Sequence, residues 1–144
     1  MEAKAANLLK FLSNRHQLVI PIYQRTYSWT RSQCQQLWTD IVRVTSDETI
    51  QAHFIGSVVY IQEGIYQITT IPQMLVIDGQ QRLTTVSLLL LALANTIGDE
   101  EKYSIDRATM FAIYLLNNEM KGDQKYKIIL TQSDKETLVS LLEK

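Results

Sequence analysis

Apolar residues recur along this chain with two periods, and the switches between them mark out its elements. Ala5, Leu8, Leu9 and Leu12 follow helical spacing, which predicts an amphipathic helix over 3–14. "QLVIPIYQRTYSW" reads as a short strand ending near Pro21, followed by a polar and aromatic loop. Thr30 and Gln33 stand at capping-box spacing, with Trp29 and Cys34 at the flanking staple positions. A helix therefore runs from about Arg31 to Val44 and buries Leu37, Trp38 and Ile41. "HFIGSVVYIQEGIYQITT" predicts a hairpin with strands Phe54–Gln62 and Tyr66–Thr70 around a turn at Glu63-Gly64. "MLVI" is apolar on both faces, the pattern of a central strand. A helix from Gln80 to Ile97 follows, ended by Gly98. Residues 103–118 read as another helix and 125–130 as a strand. Ser133 with Glu136 is a second capping-box spacing, opening a last helix that reaches Lys144 with no tail, as expected of a fragment of a longer protein.

Composition narrows the picture. At 144 residues, 46% apolar and 20% charged, the chain has the length and balance of one globular domain. A net charge of -1 supplies no global basic field for nucleic acid, although it leaves room for a local basic patch. Cys34 is the sole cysteine, which excludes an internal disulfide framework and a cysteine-based zinc site, and points to a reducing, cytoplasmic compartment. "MEAKAANLLKFL" lacks the basic-then-apolar order of a signal peptide. The longest apolar run, Val86 to Ala94, falls well short of the roughly 20 residues of a membrane span, so no membrane partner is expected.

The candidate chemistry lies at "MLVIDGQQRLTT", where three polar residues, Gln80, Gln81 and Arg82, interrupt two apolar segments. A strand running through Asp78-Gly79 into a helix brings unpaired backbone N–H groups and the positive end of the helix dipole to one point. Gly79 lets the backbone bend and a ligand approach closely. Arg82 carries a fork of donors suited to phosphate, Thr84 and Thr85 add hydroxyls, and Gln80 and Gln81 suit a base, a sugar or a water. Asp78 suits a divalent cation, directly or through water. A purely structural reading stands beside this one: Asp78 as helix N-cap, Gln81 at N3 of a capping box, and Arg82 directed to solvent or paired with a carboxylate.

A second cluster, "PIYQRTYSW", sets Gln24 and Arg25 between Tyr23, Tyr27 and Trp29. It suits base stacking or a phosphate clamp, and equally a rigid loop with core aromatics. Gly56 inside a strand signals a bulge or a close backbone approach. His16 and His53 lack partners at metal spacing. The sequence holds no Ser/His/Asp set, HExxH, Walker loop or GxGxxG, so any chemistry is metal- and Arg-assisted phosphoryl chemistry at the Asp78–Thr85 turn.

Three blocks in fixed order, "IPIYQRTYSW", "HFIGSVV" and "VIDGQQRLTT", with the "QCQQLWTDI" helix between the first two, resemble the N-terminal domain of GmrSD-type modification-dependent restriction proteins. The same domain resembles the N-terminal part of SspE-like phage-defence proteins. The resemblance covers roughly Leu18 to Leu93. It implies a ParB/sulfiredoxin-like domain of the α+β class, a small mixed sheet packed with several helices. Residues 1–144 would form one such domain, with about 100–144 as a helical extension. It also implies a nucleotide site that binds and hydrolyses an NTP with a divalent cation, Mg2+ in the first instance. Carried over residue by residue, Asp78 and Arg82 are the catalytic candidates, and Asp78 is the metal ligand. Tyr23, Gln24, Arg25, Gly56, Ser57, Gly79, Gln80, Gln81, Thr84 and Thr85 are the nucleotide-binding candidates. Relatives carry a downstream nuclease that cuts DNA. This chain has no such motif, so it would meet modified DNA only through the full-length protein. The alternative is a non-catalytic module that senses modified DNA or a protein partner.

Overall fold

The computed structural model describes residues 2–62, 71–100 and 102–144. Within these, the fold is α+β: four strands form one mixed sheet, with helices packed against it. The chain runs α1 (Leu8–Ser13), β1 (Gln17–Val19), α2 (Arg31–Ser46), β2 (Val59–Gln62), β3 (Gln73–Asp78) and α3 (Gln80–Ile97). It continues through α4 (Arg107–Met110), a π turn (Phe111–Leu115), a 3-10 turn (Gly122–Lys125), β4 (Ile128–Ile129) and α5 (Gln132–Leu142).

The strand order is β2-β3-β1-β4, so "MLVI" lies inside the sheet as its pattern predicts. β1 pairs in parallel with both β3 and β4, while β2 runs antiparallel to β3 with an irregularity between Val59 and Tyr60. Val76, at the heart of β3, has no exposed surface. Its side chain joins Leu18, Leu83, Leu90, Ala94, Phe111, Ile128 and Leu138 in one apolar cluster, so residues from Leu12 to Leu142 share a single core.

α3 spans the residues its sequence predicts and ends at Gly98, whose φ is 57°. Its buried stripe runs through Leu83, Val86, Leu90, Leu91 and Ala94, while Leu93 is exposed. The α2 capping box of Thr30 and Gln33 forms. That helix buries no residue fully, however: Leu37 and Ile41 are only partly covered, and Trp38 stays 47% exposed. Its amphipathic pattern makes a helix, but the described neighbours do not close over its apolar side.

Other boundaries shift for local reasons. α1 begins at Leu8 rather than near residue 3, because the Asn7 side chain caps it by accepting the Lys10 N–H at 3.0 Å. The strand expected from Phe54 begins only at Val59, because Gly56 has a φ of 110° and leaves the extended region. The helix expected over 103–118 starts at Arg107, where Asp106 caps it, and gives way at Leu116 to an extended bridge with Tyr126. The 125–130 strand shrinks to Ile128–Ile129, because Gly122–Lys125 coils into a 3-10 turn. The final helix is capped at Thr131, two residues before the Ser133 capping box expected from sequence. The predicted turn at Glu63-Gly64 and strand Tyr66–Thr70 fall outside the described residues.

A buried polar group supports the end of the sheet where β1 begins. The Lys127 ammonium, with only 5% of the residue exposed, donates to the carbonyls of Leu12 and Asn14 at 3.0 and 2.8 Å, tying β4 to the end of α1. A cation there also complements the negative end of the helix. His16 is buried beside it, its ring 4.9 Å from that of Phe11, with no hydrogen-bond partner for either ring nitrogen among the described residues. Burial first, and the Lys127 charge second, lower its pKa to about 4. The unfolded chain therefore takes up a proton near pH 6.5 that the fold refuses until about pH 4, so stability declines as pH falls through that window. Urea titrations from pH 7 to pH 4 should show this decline, amounting to at most a few kcal/mol, and His16→Leu should flatten its steepest part. An unchanged slope in the variant would mean that His16 is not the group responsible.

Candidate functional site

Asp78 ends β3 and Gly79 turns the chain directly into α3. Gly79 itself is the helix N-cap, at φ 91°, so Asp78 does not cap the helix; its Oδ1 instead accepts the Gly79 N–H at 2.8 Å. The first backbone bond of α3 runs from the Leu83 N–H to the Gly79 carbonyl at 3.1 Å. The N–H groups of Gln80, Gln81 and Arg82 therefore precede the helical ladder, and no side chain caps them. The turn presents donors and the positive end of an 18-residue helix.

Gln81 does not form the capping box of the structural reading. Its side chain reaches to the 24–29 loop, accepting the Ser28 N–H at 2.8 Å and donating to the Thr26 carbonyl at 3.1 Å. Gln80 donates to the Arg25 carbonyl at 3.1 Å, and Gln24 donates back to the Ile77 carbonyl of β3 at 3.0 Å. The two glutamines thus sit between apolar segments because they satisfy the main chain of an irregular loop laid across the helix start. Thr84 and Thr85 turn their hydroxyls onto the carbonyls of Gln80 and Gln81, each at 2.8 Å. The Tyr27 hydroxyl meets Thr85 Oγ1 at 2.8 Å and Cys34 Sγ at 3.5 Å. Burial, reinforced by the Cys34 contact, pushes the Tyr27 phenol pKa up.

The 54–58 segment closes the other side. A Cβ on Gly79 would lie 2.8 Å from the Ser57 carbonyl oxygen, and one on Gly56 would lie 2.5 Å from Arg82 Cζ and 2.6 Å from its Nε. The Arg82 guanidinium occupies the slot that the bare Gly56 leaves, with Nη1 3.5 Å from the Ser57 carbonyl. The structure thus sets Gln24, Arg25, Gln80, Gln81, Thr84 and Thr85 where the 24–29 loop meets the start of α3, and Gly56, Ser57, Gly79 and Arg82 where the 54–58 segment meets it, with Asp78 at the end of β3 contacting Gly79. Tyr23 stands apart, 70% exposed.

Sequence reasoning missed Asp134 and Thr131. Both belong to the start of α5, and Asp134 Oδ2 accepts the Tyr27 N–H at 2.6 Å. No local motif marks either residue; only the packing of α5 brings them here. With Ile20, Arg25, Tyr27, Gln80, Gln81, Thr84 and Leu130 they line a small cavity of about 10 Å³.

Among the described residues no three His, Cys, Asp or Glu side chains converge in a metal-binding group. Asp78 is one exposed carboxylate with one oxygen engaged by its neighbour's N–H. Mg2+ accepts one or two carboxylates completed by phosphate oxygens and water. Asp78 therefore fits a cation that arrives with phosphate, and does not fit one held by protein ligands alone.

These contacts define an α+β domain organised around a strand–glycine–helix turn, on which two distant segments close. The model of the GmrSD restriction endonuclease N-terminal domain matches residues 8–144, and the chain belongs to that family. It is thus a domain of the restriction and phage-defence class. A comparison with curated protein sequences gave no match. No helix among the described residues is long and apolar enough to cross a membrane.

The two glycines give a direct test. Gly56→Ala should destabilise the fold by about 1–3 kcal/mol through its positive φ and displace Arg82 from its slot. Adding Arg82→Ala should recover the part of the loss that comes from the clash and leave the backbone part. Urea unfolding of the two single variants and the double variant measures both parts; strict additivity would show that Gly56 and Arg82 do not touch.

Proposed function

We propose that this chain is the nucleotide-binding and NTP-hydrolysing domain of a modification-dependent restriction protein, with the ParB/sulfiredoxin-like character that its sequence resemblance implies. The observation that carries the reading is the packing of the 24–29 loop and the 54–58 segment against the Asp78–Arg82 turn, where three N–H groups at the start of α3 are left uncapped and the Arg82 guanidinium lies beside them against Gly56 and Ser57. Backbone donors and a helix dipole favour a phosphate, and Arg82 adds a charge-assisted pair of donors. The bound nucleotide would bring Mg2+, which would draw charge from the phosphate oxygens with Asp78 among its ligands. Arg25, exposed at the cavity rim, is the second cation available to the phosphates. Tyr23 offers a free ring face for a base. In this reading the domain controls a nuclease supplied elsewhere in the full-length protein, and modified DNA is engaged there rather than by this near-neutral domain.

Calorimetric titration with a non-hydrolysable NTP and Mg2+ tests the reading. Binding should occur at millimolar concentration or below and weaken in excess chelator. Arg82→Ala should reduce affinity at least about tenfold, since a charge-assisted hydrogen bond contributes ~1.5–3 kcal/mol. Its melting temperature should stay close to the parent's, because Arg82 is half-exposed while Leu83, Val86 and Leu90 hold the helix. A chain that binds no nucleotide, or an Arg82→Ala variant that melts early yet binds normally, would reject the site and favour a non-catalytic sensing module.

A further inference from the structure

Gln80 is 92% buried by its 8% exposure, and its Oε1 has no hydrogen-bond partner among the described residues. The amide's orientation is fixed, because Nε2 must face the Arg25 carbonyl, an acceptor, at 3.1 Å. The oxygen is therefore the end left without a donor, and the residue lines the small cavity at the start of α3. A buried acceptor without a donor is costly to leave unsatisfied, so something that donates belongs there. The cavity, at about 10 Å³, takes one water and is far too small for a base or a sugar. Asp134 lines the same space, and its Oδ2 is already oriented by the Tyr27 N–H at 2.6 Å. Gln80 and Asp134 both line the cavity, so a water held there would have two acceptors to donate to, the unpartnered Gln80 amide oxygen and the Asp134 carboxylate, one for each of its hydrogens. Its lone pairs are then left facing away from both.

We propose that this cavity holds the attacking water of nucleotide hydrolysis, with Gln80 positioning it and Asp134 acting as general base. The inference rests on the nucleotide reading given above. The cavity adjoins the helix start that would hold the phosphates, and Arg25 is among the residues that line it. In the reaction, the water oxygen bonds to the terminal phosphorus and one of its protons passes to the Asp134 carboxylate. The bond between that phosphorus and the bridging oxygen breaks, and the departing nucleoside diphosphate takes the electron pair. The products are nucleoside diphosphate and inorganic phosphate, with no further reactant. Asp134 is thus assigned a role beyond holding the loop, and α5, which begins 50 residues after Arg82, becomes part of the site.

Asp134→Asn separates the two roles, since an asparagine oxygen still accepts the Tyr27 N–H but does not take the proton. With Mg2+ and NTP, phosphate release by Asp134→Asn should fall at least about a hundredfold. Affinity for a non-hydrolysable NTP should stay within about threefold of the parent's. The parent's kcat should fall in D2O, because a proton leaves the attacking water as its oxygen bonds to phosphorus. Unchanged turnover in Asp134→Asn overturns the inference, and so does a parallel loss of affinity, which would make Asp134 a structural clamp alone. If the variant does not fold, the parent decides: a kcat unchanged in D2O overturns the inference. A parent chain that binds nucleotide without hydrolysing it overturns this inference and leaves the nucleotide site standing, whereas one that binds none removes both.

Discussion

Gly79 has no side chain, and the carbonyl oxygen of Ser57 lies 2.8 Å from where one would begin. That close approach is the constraint on which the rest of the site depends. It lets the segment before β2 pass directly over the turn between β3 and α3. The Gly56 slot then opens above Arg82, and β2 starts only after the crossing, at Val59. A side chain at either glycine would separate the two backbones and release the arginine. The positive φ of both glycines points the same way: the local chain adopts conformations that other residues reach only with strain.

From that turn the polar residues divide their work. Gln24, Gln80 and Gln81 direct their amide nitrogens to carbonyls of neighbouring segments, and Gln81 also takes the Ser28 N–H. They hold an irregular loop that has no strand partner to satisfy its main chain. The Arg82 guanidinium packs against Gly56 and the Ser57 carbonyl of the opposite segment, and the Arg25 side chain is exposed. No side chain caps the N–H groups of Gln80, Gln81 and Arg82, because the glutamine amides are engaged by the loop instead. Gln80 differs from the other two, since its nitrogen serves the loop while its buried oxygen has no hydrogen-bond partner among the described residues.

The chain's own periodicity was enough to set the helical frame. α3 spans Gln80–Ile97 as its apolar repeat and terminal glycine require, the Thr30–Gln33 box opens α2, and "MLVI" lies inside the sheet. These features rest on contacts within one or two turns, or on burial of a whole segment, and both are written in local residue order. The same is true of the candidate turn, because Asp-Gly followed by Gln-Gln-Arg names a strand end, a bend and a helix start. Tertiary structure decided what each residue there does. Asp78 gives up the N-cap to Gly79, because the glycine's left-handed conformation turns the chain first. Gln81 leaves the capping box for the Thr26–Ser28 main chain, which comes from fifty residues earlier. Asp134 enters the site from α5 with no sequence signal, because its partner is the Tyr27 backbone N–H, which carries no residue identity. Local order fixes where a helix begins; which distant carbonyl or N–H waits for its first side chains depends on how the sheet and its loops close around it.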